Sequence, residues 1–158
     1  MKIQIQEDFS LAEDEIILLC RRENQQIHSL KNAMEDLITK SLSILVYQKN
    51  REIYLLVSDI LFFETSGSAI YAHTKNDMYE TTCKLYELEE YLPGYFMRIS
   101  KSTIVNIHHI LSIHRNLTAS SIIEFQNTHK QTYVSRHYFK VLKSRLEEKR
   151  NINEKKTQ

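Results

Sequence analysis

Two glycines and a single proline in 158 residues leave no material for a Gly-rich phosphate loop, so nucleotide chemistry of that kind is excluded. Cysteine is equally scarce. Cys20 and Cys83 fit no metal-ligand spacing and read as two reduced thiols of a cytosolic protein. No run of about 18 apolar residues occurs, which argues against a transmembrane helix. The opening MKIQIQEDFS has one lysine and no apolar core segment, so it reads as no signal peptide. Neither cysteine has a recognisable histidine partner motif, and no carboxylate stands in a known acid/base pattern. The expectation is a protein that is no enzyme and needs no cofactor.

What the chain does have is a lopsided charge. Residues 96–150 hold ten Lys and Arg against three acids, while residues 1–95 hold nine against sixteen, inside a total of +1. A concentrated basic field among Ser, Asn and His side chains suits a phosphate backbone. An ordinary solvated surface, or a basic face that binds an acidic partner protein, fits the charge as well. Five of the seven histidines (108, 109, 114, 129 and 137) lie in the basic part. His108 and His109 are adjacent, and on a strand they would point to opposite faces, so they make a poor chelating pair. A His-site metalloenzyme is the weakest reading. These imidazoles read instead as neutral surface and phosphate-contacting groups.

The first 42 residues read as a small α/β extension. KIQIQ alternates like a half-buried strand, and EIILLC reads as a short buried one. Ile27, Leu30, Met34, Leu37 and Ile38 then mark one face of an amphipathic helix over about 24–40, which packs on its own domain or forms a dimer seam. From Ser43 the period shortens to that of strands. SILVYQ, REIYLLV, DILFFET, AIYAHT and MYETTC read as strands, with tight turns at Lys49-Asn50 and Lys75–Asp77. KLYELEEYL reads as a helix ending at Pro93-Gly94, with Glu87, Glu89 and Glu90 outward. YFMRI reads as a strand, SKSTIVN as a segment containing a helical turn or loop with Ser100 or Ser102 as cap, and IHHILSIHR as a strand again. SSIIEF and KQTYVS form a last hairpin. Ser135 opens a final helix to about Lys149, apolar at Tyr138, Phe139, Leu142 and Leu146, with Arg136, Lys140 and Lys143 opposite. Residues 148–158 read as a disordered tail.

Within this layout, DILFFETSGSAIYAHT, LYELEEYLPGYFMRISKSTIVNIHHILSI and YVSRHYFKVLKSRL carry a resemblance in order and spacing. They are an acidic residue after an aromatic strand, a Leu-rich helix, a Phe-plus-Arg strand, a Ser-x-x-Val-Asn block and a closing Val-Ser-Arg. Residues 43–147 thereby resemble the LytTR-type DNA-binding domain family. The resemblance implies a mostly β fold with short helices, an elongated antiparallel β-sheet sandwich. It implies a sequence-specific regulator of transcription that contacts double-stranded DNA through loops.

Carried over residue by residue, the resemblance gives three loops: 65–70 with Ser68; 98–102 with Arg98, Ser100, Lys101 and Ser102; and 135–137 with Arg136 and His137, followed by Lys140. Arg136 and Lys101 have the reach for a guanine edge or a phosphate, and Ser100 and Ser102 can donate to phosphate. Many family members carry His where this chain has Ser100. Arg98 reads either as a contact or as a mid-strand salt-bridge partner. Val105 and Asn106 read as an apolar anchor and a side chain bonding its own loop; Tyr138 and Phe139 read as core. Forty-two residues are too few for a phosphoacceptor domain of about 120. In that respect the chain resembles the small cytoplasmic members of the family, which implies a membrane-embedded inhibitor as a partner. One such domain offers only a few loop contacts, so a homodimer, in solution or on repeated promoter sites, is expected through residues 1–42.

Overall fold

A computed structural model of the chain describes residues 6, 10, 16–40, 42–116 and 119–155, with backbone alone at 35, 36, 38–40 and 148–155. The chain divides into two compact units, 1–38 and 39–158, where the composition had suggested a break after residue 42.

Among the described residues of the N-terminal unit the regular element is helix α1 (Gln25–Lys40). Asn24 caps it: its Oδ1 accepts from the backbone N–H of Gln26 at 3.0 Å and of Ile27 at 3.1 Å. Ile27, Leu30 and Met34 are half-buried and Leu37 is exposed. The strand expected over residues 2–6 lies outside the described residues except for Gln6. The buried strand expected at EIILLC is not there. Ile16–Cys20 is irregular, and Ile16, Ile17 and Leu19 are exposed. An apolar run becomes a strand only where a neighbour satisfies its backbone, and no described strand pairs with this one.

Among its described residues the second unit carries ten strands: β1 (Ser43–Gln48), β2 (Arg51–Leu56), β3 (Phe62–Ser66), β4 (Ala69–His73), β5 (Met78–Thr81), β6 (Phe96–Ser100), β7 (Thr103–Asn106), β8 (Ile110–His114), β9 (Ser121–Phe125) and β10 (Gln131–Val134). Helix α2 (Leu85–Tyr91) precedes β6, and α3 (Arg136–Lys155) follows β10. Seven strands form one sheet in the order β2-β1-β5-β4-β3-β7-β6, and three form another in the order β10-β9-β8. Every pairing is antiparallel.

Both faces of the large sheet are packed around β3 and β7. On one face Phe63, Ile70, Ala72, Phe96 and Ile104 meet Leu85 and Leu88 of α2. On the other Phe62, Ile99 and Val105 meet Ile123 and Phe125 of β9, Val134 of β10 and Leu142 of α3. This explains why Leu61, Phe62 and Phe63 are buried in succession, since a strand covered on both faces has no polar side.

Three local expectations change. Within SKSTIVN the turn is confined to Lys101-Ser102: Thr103–Asn106 is an inner strand with all four residues buried, because three β-branched residues, Thr103, Ile104 and Val105, find partners on both sides. Residues 107–109 form a single 3-10 turn, so the strand expected from Ile107 begins at Ile110. The last helix continues through residues expected to be disordered, to Lys155, because NINEK offers no Gly or Pro to stop it. No helix among the described residues is long and apolar enough to cross a membrane.

Candidate nucleic-acid interface

The three loops singled out from the sequence meet at one end of the large sheet. The first is the β3–β4 turn. Ser66 pairs with Ala69, and Gly67 takes φ +62 at the first central position, where glycine is favoured. Ser68 is the exposed second central residue. The second is the β6–β7 turn at Lys101-Ser102, following a bulge between Arg98 and Ser100. The two turns are tied together, because the N–H of Thr65 donates to the carbonyl of Ser102 at 2.8 Å. The third loop joins them from the small sheet: the N–H of Ser135 donates to the carbonyl of Ile99 at 2.9 Å, which fixes the start of α3 beside the end of β6. The first turn of α3 hangs on the Ser135 carbonyl, which accepts from Tyr138 and Phe139 at 3.1 Å.

Side chains at this end fall into two groups. Lys101, Arg136 and Lys140 are exposed and make no side-chain hydrogen bond or ion pair among the described residues. His137 is exposed, its ring edge-on to Tyr138 at 4.9 Å. Ser100 is half-buried; its Oγ accepts from the N–H of Ser102 at 3.1 Å and lies 3.3 Å from the exposed Ser102 Oγ. Arg98 is in the other group. Its Nε donates to the Ser100 carbonyl at 2.9 Å, its second terminal nitrogen to the Lys101 carbonyl, and its first to Glu89 Oε2 at 2.7 Å. The geometry therefore turns Arg98 inward. Glu89, on α2, had drawn no attention as an outward-facing acid; the signal was a mid-strand arginine nine residues downstream with no acid on its own strand.

Four other cations of the basic part whose side chains are described are occupied elsewhere. Arg115 lies over the Phe139 ring at 5.5 Å, Lys130 donates to the Asp77 carbonyl, Lys143 pairs with Glu147 at 3.6 Å, and Arg145 donates to the Gly94 carbonyl at 2.7 Å. The histidines are mostly occupied too. His108 stacks on Tyr95, His109 Nε2 lies 2.7 Å from the Ser58 carbonyl, and His114 pairs with Glu124 at 2.9 Å. Only His137 stands at the loop end. No group of three His, Cys, Asp or Glu that could hold a metal ion exists among the described residues.

Asn106, Val105, Tyr138 and Phe139 face the protein interior. Asn106 is buried; its Nδ2 donates to the Ile60 carbonyl and its Oδ1 accepts from the His108 N–H, both at 3.0 Å. Val105 is fully buried, and Tyr138 and Phe139 pack against the second core.

Sequence and structure comparisons agree with this architecture. The LytTr DNA-binding domain profile matches residues 50–147. Uncharacterised HTH-type transcriptional regulators of Staphylococcus aureus strains NCTC 8325 and COL are each 33% identical over 147 residues, covering 92% of this chain and 98% of theirs. A solved LytTr DNA-binding domain from Bacillus cereus superimposes with a TM-score of 0.58 at 23% identity, over 63% of this chain and 94% of that one. Despite the wording of the relatives' name, no two helices are consecutive among the described residues of this chain. The chain belongs to the LytTr DNA-binding domain family.

Proposed function

We propose that the protein is a transcription regulator, not an enzyme, that binds double-stranded DNA sequence-specifically with the three tied loops. One observation carries this reading: Lys101, Arg136 and Lys140, exposed and unpaired among the described residues, lie on or one helical turn beyond the turns that are bonded together, while Arg98, Arg115, Lys130, Lys143 and Arg145 are engaged within the protein. Phosphate contacts set the affinity and orientation of such a complex, and base-edge contacts set its preference. Lys101 and Lys140 suit phosphates. Arg136, at the tip of α3, has the planar fork that pairs with guanine in the major groove. Ser68, Ser100, Ser102 and His137 supply shorter donors around them.

Two phosphate-neutralising cations, Lys101 and Lys140, give a slope of log affinity against log salt of about −2 per bound copy. The test is selection of bound sequences from a random DNA pool, followed by titration of the selected site and of random duplex between 50 and 200 mM salt. A steep slope with clear preference for the selected site supports the reading. Equal binding to both duplexes refutes it, and a steep slope toward an acidic protein instead assigns the basic face to a protein partner.

A single set of loops offers few contacts, so operator-level affinity calls for two copies on neighbouring sites. Residues 1–42 are the proposed self-contact, supported by the stripe on α1 that leaves Leu37 exposed. Sedimentation of the full chain with and without a two-site duplex tests this. A monomer that fills the two sites independently removes the dimer.

A further inference from the structure

We propose that Arg98 and Glu89 are positioning residues that shape the β6–β7 turn for DNA, and that Arg98 makes no DNA contact of its own. The proposal rests on the DNA-binding reading above. It starts from the carbonyl groups of that turn. Three in succession, those of Ser100, Lys101 and Ser102, are all held inside the protein: the first by Arg98 Nε, the second by a terminal nitrogen of Arg98, the third by the N–H of Thr65. A turn that meets a polyanion must keep its acceptors away from the phosphates and leave its donors and cations facing them. Arg98 does this for two carbonyls at once.

A planar guanidinium is needed for it, because one rigid group must reach two carbonyls and a carboxylate simultaneously; a lysine ammonium on a flexible stem cannot replace that fork. Glu89 sets the plane of the fork from the other side. Its Oε2 takes the remaining terminal nitrogen at 2.7 Å, with the Arg98 side chain 23% exposed and that of Glu89 41%. A carboxylate this open adds little to folding stability as an ion pair. Its presence so near a phosphate-binding end would otherwise be a liability, since it repels DNA. Its retention beside Arg98 makes sense if orientation of the turn is what it supplies, with the guanidinium charge offsetting its own.

The two roles for Arg98 predict opposite results. If Arg98 reached for phosphate, Glu89→Gln would release it, and DNA would bind more tightly with a steeper salt slope. If the pair positions the turn, Glu89→Gln weakens binding while the slope stays that of the parent. The experiment titrates the selected duplex at 50–200 mM salt, well below the melting temperature, with the full-length parent, Glu89→Gln, Arg98→Lys, Arg98→Ala, Lys101→Ala and the Arg98→Ala/Lys101→Ala pair. Expected are a several-fold loss for Glu89→Gln, with the melting temperature of the parent. Arg98→Lys and Arg98→Ala should both lose about tenfold with unchanged slope. Lys101→Ala alone should have a slope shallower by about one unit. The double variant should bind far better than the product of the two single losses predicts, because Arg98 acts through the turn that carries Lys101.

Tighter binding by Glu89→Gln overturns the proposal, as does an Arg98→Ala slope shallower by about one unit with Arg98→Lys near the parent. A lower melting temperature with unchanged affinity of the folded protein also overturns it, since that is what a merely structural salt bridge would show. Should Arg98→Ala fail to fold, Glu89→Gln and Arg98→Lys decide alone. Failure of the parent to prefer any sequence is seen before any variant is made, so it is separable as failure of the DNA-binding reading.

Discussion

Replacing Asn106 by alanine separates a structural asparagine from a base-reading one. The side chain bridges two segments: Nδ2 donates to the carbonyl of Ile60, 46 residues away, and Oδ1 caps the 3-10 turn by accepting the N–H of His108. Ile60 is fully buried and Asn106 is 1% exposed, so water cannot take over the bond to the Ile60 carbonyl. A buried polar group left without its partner costs about 1–3 kcal/mol, and a second, partly buried bond about 1 kcal/mol more. Asn106→Ala should therefore lose about 2–4 kcal/mol of unfolding free energy. For a unit of the size of residues 39–158 that lowers the melting temperature by about 10 °C. Denaturant unfolding followed by circular dichroism measures the loss. DNA titration at low temperature, where the variant is still folded, should give nearly the parental affinity and an unchanged base preference. A variant that unfolds like the parent but loses its preference at one base pair would refute the structural account and place Asn106 in the groove.

Arg136→Ala should cost about 1–3 kcal/mol on the selected site and relax preference at one position, read by titrating single-base variants of that site. Lys140→Ala should weaken binding to all duplexes and make the salt slope shallower by about one unit. Leu142→Ala empties a fully buried position between α3 and the two sheets and should destabilise by about 2–5 kcal/mol in denaturant unfolding. His73 is held down at about 4, chiefly by burial and then by Lys130, even though a Glu64 carboxylate oxygen lies 3.8 Å from its Nε2. Its neutral form is thus favoured by folding. The stability this contributes is fully present above pH 6.5 and is lost as the pH falls toward about 4. His73→Phe, which keeps the stack on Phe62 at 4.2 Å, should flatten that stretch of the stability profile.

Local signals were readable wherever one residue or one period decides the structure. Asn24 at the start of α1, the Pro93-Gly94 stop after α2 and the turn at Lys49, with φ 54, are all of that kind. Thr103–Asn106 was not, because its polar ends resemble a capped loop and only its position between β3 and β6 makes it a strand. Strand order was equally out of reach. β1 lies beside β5 and β3 beside β7, pairings set by burial of both sheet faces and not by any neighbouring residue. At the candidate interface, charge counting marked the basic part but weighted every cation equally. The division between Lys101, Arg136 and Lys140 on one side and the engaged Arg98, Arg115 and Arg145 on the other depends on partners up to 51 residues away in sequence.

Loops are poor recognition elements when they must be ordered at the moment of binding, because each immobilised side chain and backbone segment draws on the binding free energy. This protein answers that problem with bonds between turns. Thr65 to Ser102 and Ser135 to Ile99 join three segments from two sheets, and the Arg98 fork closes the middle one. Each segment is also seated on a core: β3 and β7 are packed on both faces, and α3 is pinned by Leu142. The loops are thereby ordered by folding, and under the proposed binding mode the rigid elements of the β-rich unit would hold the geometry that a recognition helix otherwise provides. Variants that loosen a tie, such as Arg98→Lys, should accordingly lose affinity through ordering cost, whereas variants that remove a cation, such as Lys140→Ala, should lose it through salt-dependent contact. The salt slope tells these two losses apart.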